Sequence, residues 1–311
     1  MTVTVVGSIA FDAVKTPFGE RERLLGGAAT HFALAASFLD QVRVVGPVGC
    51  DFGPEDFAVL RTRGTNTDDV RQVIDGKTFF WRGEYGWDLN SRETLDTQLN
   101  VFADFRPELS AAARESEVVF LANIQPGLQL EVLEQCLRPR AVALDSMNFW
   151  IETDREALLE VVGRVDCLIL NDAELRQLTG RPSVYTAARE LLELGPRVVV
   201  AKQGEYGALA ITESSYFGLP AYPLERVVDP TGAGDTFAGG LVGYLARSGA
   251  TELSDDVVRR AMAYGTALAS FNVEGFGTER MVELTPAEIE QRVHDLHRFT
   301  QFEHDPMVAA A

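Results

Sequence analysis

An α/β architecture, with a mainly parallel central sheet and a small projecting β-lid, is the fold class this sequence predicts. Short apolar runs rich in Val, Ile and Leu alternate with amphipathic stretches along most of the chain. That is the pattern of strands covered on both faces by crossover helices. One stretch, residues 74–100, breaks this rhythm with aromatic and polar residues, as in Lys77-Thr-Phe-Phe-Trp-Arg-Gly-Glu-Tyr-Gly-Trp87. The final third turns helical, with small residues at many positions.

The elements follow in order. Thr2–Val6 reads as a buried strand, residues 28–39 as a helix and residues 42–45 as the next strand. Further strands are expected at Val118–Leu121, 141–144, 167–170 and 198–201, with helices at 128–137, 156–162, 173–178 and 185–194. Residues 12–24 and 74–100 are expected to form the lid. Helices are then expected at 232–247 and Asp255–Asn272. Thr285-Pro-Ala-Glu288 is a capping box with Pro at the first helical position, opening a last helix that ends near Thr300. The tail from Met307 to Ala311 is expected to fray. No internal repeat or linker interrupts the 311 residues, so residues 1–311 read as a single domain carrying a lid.

Acidic residues outnumber basic ones by 46 to 28, for a net charge of −18. Such a surface disfavours nucleic acid and acidic membranes as partners. An anionic ligand must then be received by a local device of backbone amides, a few cations and a metal. The three cysteines, Cys50, Cys136 and Cys167, are widely spaced and support neither a disulfide framework nor a zinc site. The first residues read as a strand rather than a targeting segment, and the expected location is cytoplasmic.

The sharpest local signal is Gly232-Ala233-Gly234-Asp235, which follows Val227-Val228 and opens an apolar helix. Glycines permit a tight turn and close approach of the backbone. The N–H groups of the first helical turn and the helix dipole favour an anion there. Asp235 beside that spot can take the proton of an attacking hydroxyl. By itself the pattern reads either as an anion hole for a transferring phosphoryl group, with Asp235 as the base, or as a helix start with no ligand.

The full string Asp229-Pro-Thr-Gly-Ala-Gly-Asp-Thr-Phe-Ala-Gly-Gly240 resembles the signature of the ribokinase family, also called PfkB carbohydrate kinases. The resemblance runs from Gly7 to about Gly277. It implies a ribokinase-like three-layer sandwich and ATP-dependent transfer to a hydroxyl. Asn171-Asp-Ala-Glu174 resembles the family's Asn-x-x-Glu motif, implying that Asn171 serves the nucleotide and that Glu174 acts on Mg²⁺ through water. As a bare sequence the same motif is also a capping box. Lys202-Gln-Gly-Glu-Tyr-Gly207 resembles the nucleotide loop, with Gly204 and Gly207 admitting ATP; Lys202 reads equally as a phosphate contact or a surface lysine. Asp229 and Thr231 match positions that in some members ligate a monovalent cation such as K⁺.

At the acceptor end, Gly7-Ser-Ile-Ala-Phe-Asp12 matches a pattern in which the aspartate grips paired hydroxyls. Gly26 and Gly27 match the family's glycine pair. The residues after them, Ala28-Ala29-Thr30-His31, replace the lysine and asparagine of ribokinases proper, which argues against ribose as the acceptor. Thr30 and Asn123 are further candidates to line the acceptor cleft. Residues 78–102 resemble a subgroup of nucleoside and sugar kinases. A nucleoside could stack its base on Phe80, Trp81, Tyr85 or Trp87; a sugar or cyclitol is the alternative. His31 reads as a helix residue without a catalytic task. A non-catalytic ligand-binding protein on the same fold is the rival reading, and an exposed lid edge would suit a homodimer.

Overall fold

The structure is a computed structural model and describes residues 2 to 302; the expected fraying of the tail lies outside those residues. The strands are β1 (Thr2–Val6), β2 (Ala10–Thr16), β3 (Gly19–Gly26), β4 (Gln41–Gly49), β5 (Val70–Val73), β6 (Phe79–Tyr85), β7 (Arg92–Gln98), β8 (Val118–Leu121), β9 (Ala141–Asp145), β10 (Cys167–Asn171), β11 (Val198–Lys202), β12 (Ala208–Ile211) and β13 (Tyr216–Leu219). The helices are α1 (Ala28–Ala36), α2 (Pro54–Leu60), α3 (Ala111–Arg114), α4 (Pro126–Gln135), α5 (Asn148–Thr153), α6 (Arg155–Val162), α7 (Asp172–Thr179), α8 (Val184–Leu192), α9 (Ala233–Ser248), α10 (Asp255–Asn272), α11 (Glu279–Glu283) and α12 (Pro286–Thr300).

Nine strands form the central sheet in the order β13-β12-β11-β10-β9-β8-β1-β4-β5. Its pairings are parallel from β11 through β5, while β12 and β13 turn back antiparallel. Successive side chains of a strand enter opposite layers, as the period of two demands. Val118 and Phe120 of β8 join a core under α1, α9 and α10, whereas Val119 and Leu121 join one under α4, α6, α7 and α8. This double burial is why the strands read as uninterrupted apolar runs.

A second sheet, β3-β2-β6-β7, is the lid. Its outer pairs are antiparallel, but β2 and β6 run parallel, with Phe11 opposite Phe80 and Asp12 opposite Trp81. Alternation again divides its faces. Val14, Leu24 and Tyr85 pack with Phe276, half-buried Trp81 and Val228, while Phe11 and half-buried Phe80 pack against the main core.

The expected elements are present with ends moved by a few residues. The helix expected at 28–39 stops at Ala36, where the amides of Phe38 and Leu39 bond three residues back in a tightened turn. Short α2, α3, α5, α11, β5 and β13 are not among the expected elements, because runs of four to seven residues carry too little of a period to read. The Thr285–Glu288 capping box is formed, with Thr285 Oγ1 accepting from Glu288 N–H and Glu288 Oε2 accepting from Thr285 N–H. Among the described residues no helix is long and apolar enough to cross a membrane.

Candidate active site

Parallel strands converge their C-terminal ends on one edge of the sheet, and the lid stands over it. The loop between β1 and β2, Asn123 after β8, Asp145 on β9, Asn171 on β10 and Lys202 on β11 all lie at this edge. The N-terminus of α9 approaches from the next layer.

The turn into α9 is built on Gly232, whose φ of +73° suits glycine. A Cβ there would lie 2.3 Å from the His31 ring, so size and backbone conformation both exclude another residue. The turn is braced from beneath. Asp229 is fully buried, and its two oxygens accept the N–H groups of Thr231 and Gly277, each at 2.9 Å. Ala233 N–H donates back to the Pro230 carbonyl at 3.2 Å, while the Gly232 and Gly234 amides on either side of it have no partner within the helix.

Asp235 sits half-buried in this first turn. Burial, reinforced by the charge of Asp145, pushes its carboxyl up to about 7. Lys202 is the cation of this region: its Nζ donates to Asp145 Oδ2 at 2.7 Å, and a Cβ on Gly234 would lie 3.2 Å from that Nζ. Burial alone would lower the lysine. The carboxylates of Asp145, Glu174 and Asp235 outweigh it and hold the ammonium above its ordinary value. The surface-lysine reading is thereby corrected: Lys202 is largely enclosed, beside the α9 amides.

Asn171 and Glu174 form a reciprocal cap at the start of α7. Asn171 Oδ1 accepts from Glu174 N–H, and Glu174 Oε2 accepts from Asn171 N–H, both at 2.8 Å. Glu174 remains buried, and burial, with the charge of Asp145, takes its carboxyl to about 7 despite Lys202. Gly204 and Gly207 occupy the turn between β11 and β12 at φ of +56° and +98°. The lid reaches this turn, since Asn90 Nδ2 donates to Glu205 Oε1 at 3.0 Å.

Across the cleft, Asp12 of β2 is buried, and its Oδ2 would lie 1.9 Å from a Cβ on Gly26. The first glycine of the pair therefore makes room for the Asp12 carboxylate. Burial and the charges of Asp229 and Asp235 lift the Asp12 carboxyl to about 7, against the pull of the Gly27 N–H and Arg92. Thr30 is wholly buried in α1 and its Oγ1 has no partner. Asn123 Oδ1 accepts from Trp150 Nε1 at 3.0 Å, which leaves its amide nitrogen for the cleft. The lid aromatics divide. Tyr85 is buried with its OH accepting from Thr231 Oγ1 at 3.2 Å, whereas Trp87 is 88% exposed.

Two residues take part in ways the sequence reading did not give. Asn272, which that reading placed only in a loop (residues 272–277) that would complete a cation site, ends α10, is buried and donates to the Thr231 carbonyl at 2.8 Å. Arg92 stands opposite Tyr85 in the lid, and its charge lowers the carboxyls of Asp12, Glu174 and Asp235 from one position. No local pattern marks either residue, because each acquires its neighbours only when the lid and α10 fold over the sheet edge.

Comparison with known proteins places the chain in a family. The family profile of pfkB family carbohydrate kinases matches residues 3–284. A cytidine kinase of Thermococcus kodakarensis is 31% identical over 254 residues, covering 78% of this chain and 88% of that protein. A deoxyribokinase of Salmonella typhi is 33% identical over 263 residues, covering 82% of this chain and 83% of the relative. Among solved structures, aminoimidazole riboside kinase from Salmonella enterica, complexed with aminoimidazole riboside and an ATP analog, superposes with a TM-score of 0.73 at 22% identity, covering 94% of this chain and all of the other. The chain belongs to the PfkB family of carbohydrate kinases.

Proposed function

We propose that this kinase transfers the γ-phosphoryl group of ATP to a hydroxyl of a nucleoside, with Asp235 as the general base. The observation that carries the reading is Asp235 itself: a carboxyl that burial holds at about 7, beside the amides of a helix N-terminus and the Lys202 ammonium. A base near the working pH is matched to proton abstraction. The Gly232 and Gly234 amides receive the transferring group, the Ala233 amide joins them by leaving the Pro230 carbonyl, and Lys202 exchanges its bond to Asp145 for a phosphate oxygen. Asn171, Gly204 and Gly207 border the nucleotide.

The residues present fit Mg²⁺ as a water-bound ion. Glu174 is a buried carboxylate with one oxygen engaged by a backbone N–H, and among the described residues no group of three or more His, Cys, Asp or Glu could cage a metal. Mg²⁺ keeps waters and takes phosphate ligands, so a single carboxylate suffices. When bound there it would supply positive charge to neutralise the phosphates, held through water by Glu174. At Asp229 the two oxygens already accept N–H groups. A K⁺ ion at Asp229 and Thr231 would have to share them, and exchange of K⁺ for Na⁺ is expected to leave kcat unchanged.

Asp12, freed to accept hydrogen bonds by Gly26 and Gly27, is the anchor for a ribose diol, with Thr30 and Asn123 nearby. The half-buried lid ring of Trp81, opposite Asp12 in the β2–β6 register, favours a nucleoside over a bare sugar, as does the likeness to a cytidine kinase. The rim strand β7 is mostly exposed and suits pairing with the lid of a second copy, which sedimentation would detect as a dimer.

The test is ATP consumption and product mass across a panel of nucleosides, sugars and cyclitols, with wild type and Asp235→Asn. A nucleoside should be turned over fastest, and Asp235→Asn should lower kcat by roughly 10²–10⁴. A sugar preferred over every nucleoside would transfer the assignment to a sugar kinase, and near-normal turnover by the variant would remove the base.

A further inference from the structure

Beneath the turn that opens α9 lies a buried polar link that neither the acceptor nor the nucleotide assignment uses. His31 is 1% exposed in α1, and its Nδ1 lies 3.1 Å from Asn272 Oδ1. The same oxygen accepts from Thr236 Oγ1 at 3.1 Å, and Asn272 Nδ2 donates to the Thr231 carbonyl at 2.8 Å. That carbonyl can only accept, so it fixes the amide with its nitrogen toward Thr231 and its oxygen toward His31. His31 must therefore donate, and its proton sits on Nδ1. Nε2 is then a bare acceptor, and it is one of the few buried side-chain atoms without a partner. Leaving a polar atom unpaired in the interior costs stability, so some other property has to favour imidazole here. The face of the ring supplies one: it lies directly under Gly232, where a Cβ would come within 2.3 Å of it.

His31 also reaches the acceptor side. Its backbone N–H makes the first-turn helix bond to the Gly27 carbonyl at 3.2 Å, so one helical turn separates the glycine pair from the imidazole under the phosphoryl turn.

We propose that His31 is a positioning residue for phosphoryl transfer, holding the Thr231–Gly232 turn through Asn272 so that the α9 amides and Asp235 stay aimed at the migrating group. This rests on the assignment of residues 232–235 as the anion hole. The hold is rigid because its members come from α1, α9 and α10, three helices packed closely enough that a Cβ on Gly240 would lie 2.8 Å from the Gly265 Cα. Misplacement of such a turn by a fraction of an ångström falls on the transition state rather than on ground-state binding.

The experiment uses the full chain and its best acceptor, with Asp235→Asn run alongside. His31→Phe retains an aromatic ring without the donor, and it should lower kcat about 10- to 100-fold while both KM values stay within about threefold. His31→Asn places an amide N–H where Nδ1 stood and should recover most of that loss. Wild-type kcat in His31→Phe overturns the proposal, as does a loss confined to KM, or an equal loss in both variants that tracks their melting temperatures. If His31→Phe does not fold, long-range ¹H–¹⁵N spectra of the wild-type protein decide. One non-titrating histidine in the Nδ1–H form supports the link; an Nε2–H form or a titrating imidazolium at that position refutes it. Should Asp235→Asn remain active, the anion-hole assignment itself fails, a result separate from any behaviour of His31.

Discussion

Asp235 must be ionised to accept a proton, yet its surroundings hold that proton to about 7. As the proposed base, Asp235 is half-ionised near neutrality in the free enzyme, and kcat/KM should climb as pH rises through about 7 and level off above it. A profile flat from pH 6 to 9 would contradict the assignment. Gly26 offers a second test at this scale. A methyl group there would lie 1.9 Å from Asp12 Oδ2 and would push the acceptor carboxylate aside. Gly26→Ala should raise the acceptor KM by tenfold or more while leaving the KM for ATP near its wild-type value, as expected when a charged partner is misplaced by about an ångström. Arg92 spreads one positive charge over Asp12, Glu174 and Asp235. Its removal should raise the apparent pKa of the rate profile, because the carboxylate form of the base loses a stabilising cation.

At the scale of elements, the lid and the α9 turn meet through one hydrogen bond, Thr231 Oγ1 to Tyr85 OH. The lid also meets the nucleotide turn through Asn90 and Glu205. Closure of such a cover excludes water from the transferring group. Tyr85→Phe keeps the ring in its apolar cluster with Val14, Leu24 and Phe276 but removes the hydroxyl. It should raise the ratio of ATP hydrolysed to product formed, measured as ADP against phosphorylated acceptor, with little change in melting temperature. An unchanged ratio would mean that this bond has no part in closure. The helix α7 shows why one sequence motif carried two meanings: Asn171 and Glu174 complete a capping box, yet the same junction leaves a buried carboxylate at the sheet edge.

For the whole molecule, the collected carboxylates have a cost that pH exposes. Asp12, Glu174 and Asp235 are each held at about 7 in the folded protein, far above their values in an unfolded chain. Between about pH 4 and 7 the folded state binds more protons than the unfolded one, so stability falls as pH rises through this window. His31, whose value burial lowers, acts in the opposite sense below about 6.5 but is a single group. The melting temperature of the ligand-free protein should therefore be higher near pH 5.5 than near pH 8. Mg²⁺ with ATP should recover more stability at pH 8 than at pH 5.5, since it meets the ionised forms. Calorimetry at the two pH values checks both, and a melting temperature that rises with pH would show that the carboxyls are not clustered as described.

What the sequence determined by itself was whatever depends on neighbours along the chain. The alternating apolar runs specify a sheet covered on both faces. The spacing within Gly232-Ala-Gly-Asp235 specifies a helix start with a carboxylate in its first turn, and Asn171 with Glu174 specifies a cap. Each of these needs only a few consecutive residues. Tertiary structure decided the rest. Lys202 could be read as surface or site until Asp145, 57 residues away, was brought to its Nζ. His31 had no evident task until Asn272, 241 residues away, met its Nδ1. Arg92 gained its acidic neighbours only when the lid folded over the sheet edge. The physical reason is the same in all three cases. A buried charge or hydrogen bond is defined by what surrounds it, and a parallel sheet assembles those surroundings from strand ends that lie far apart in the chain.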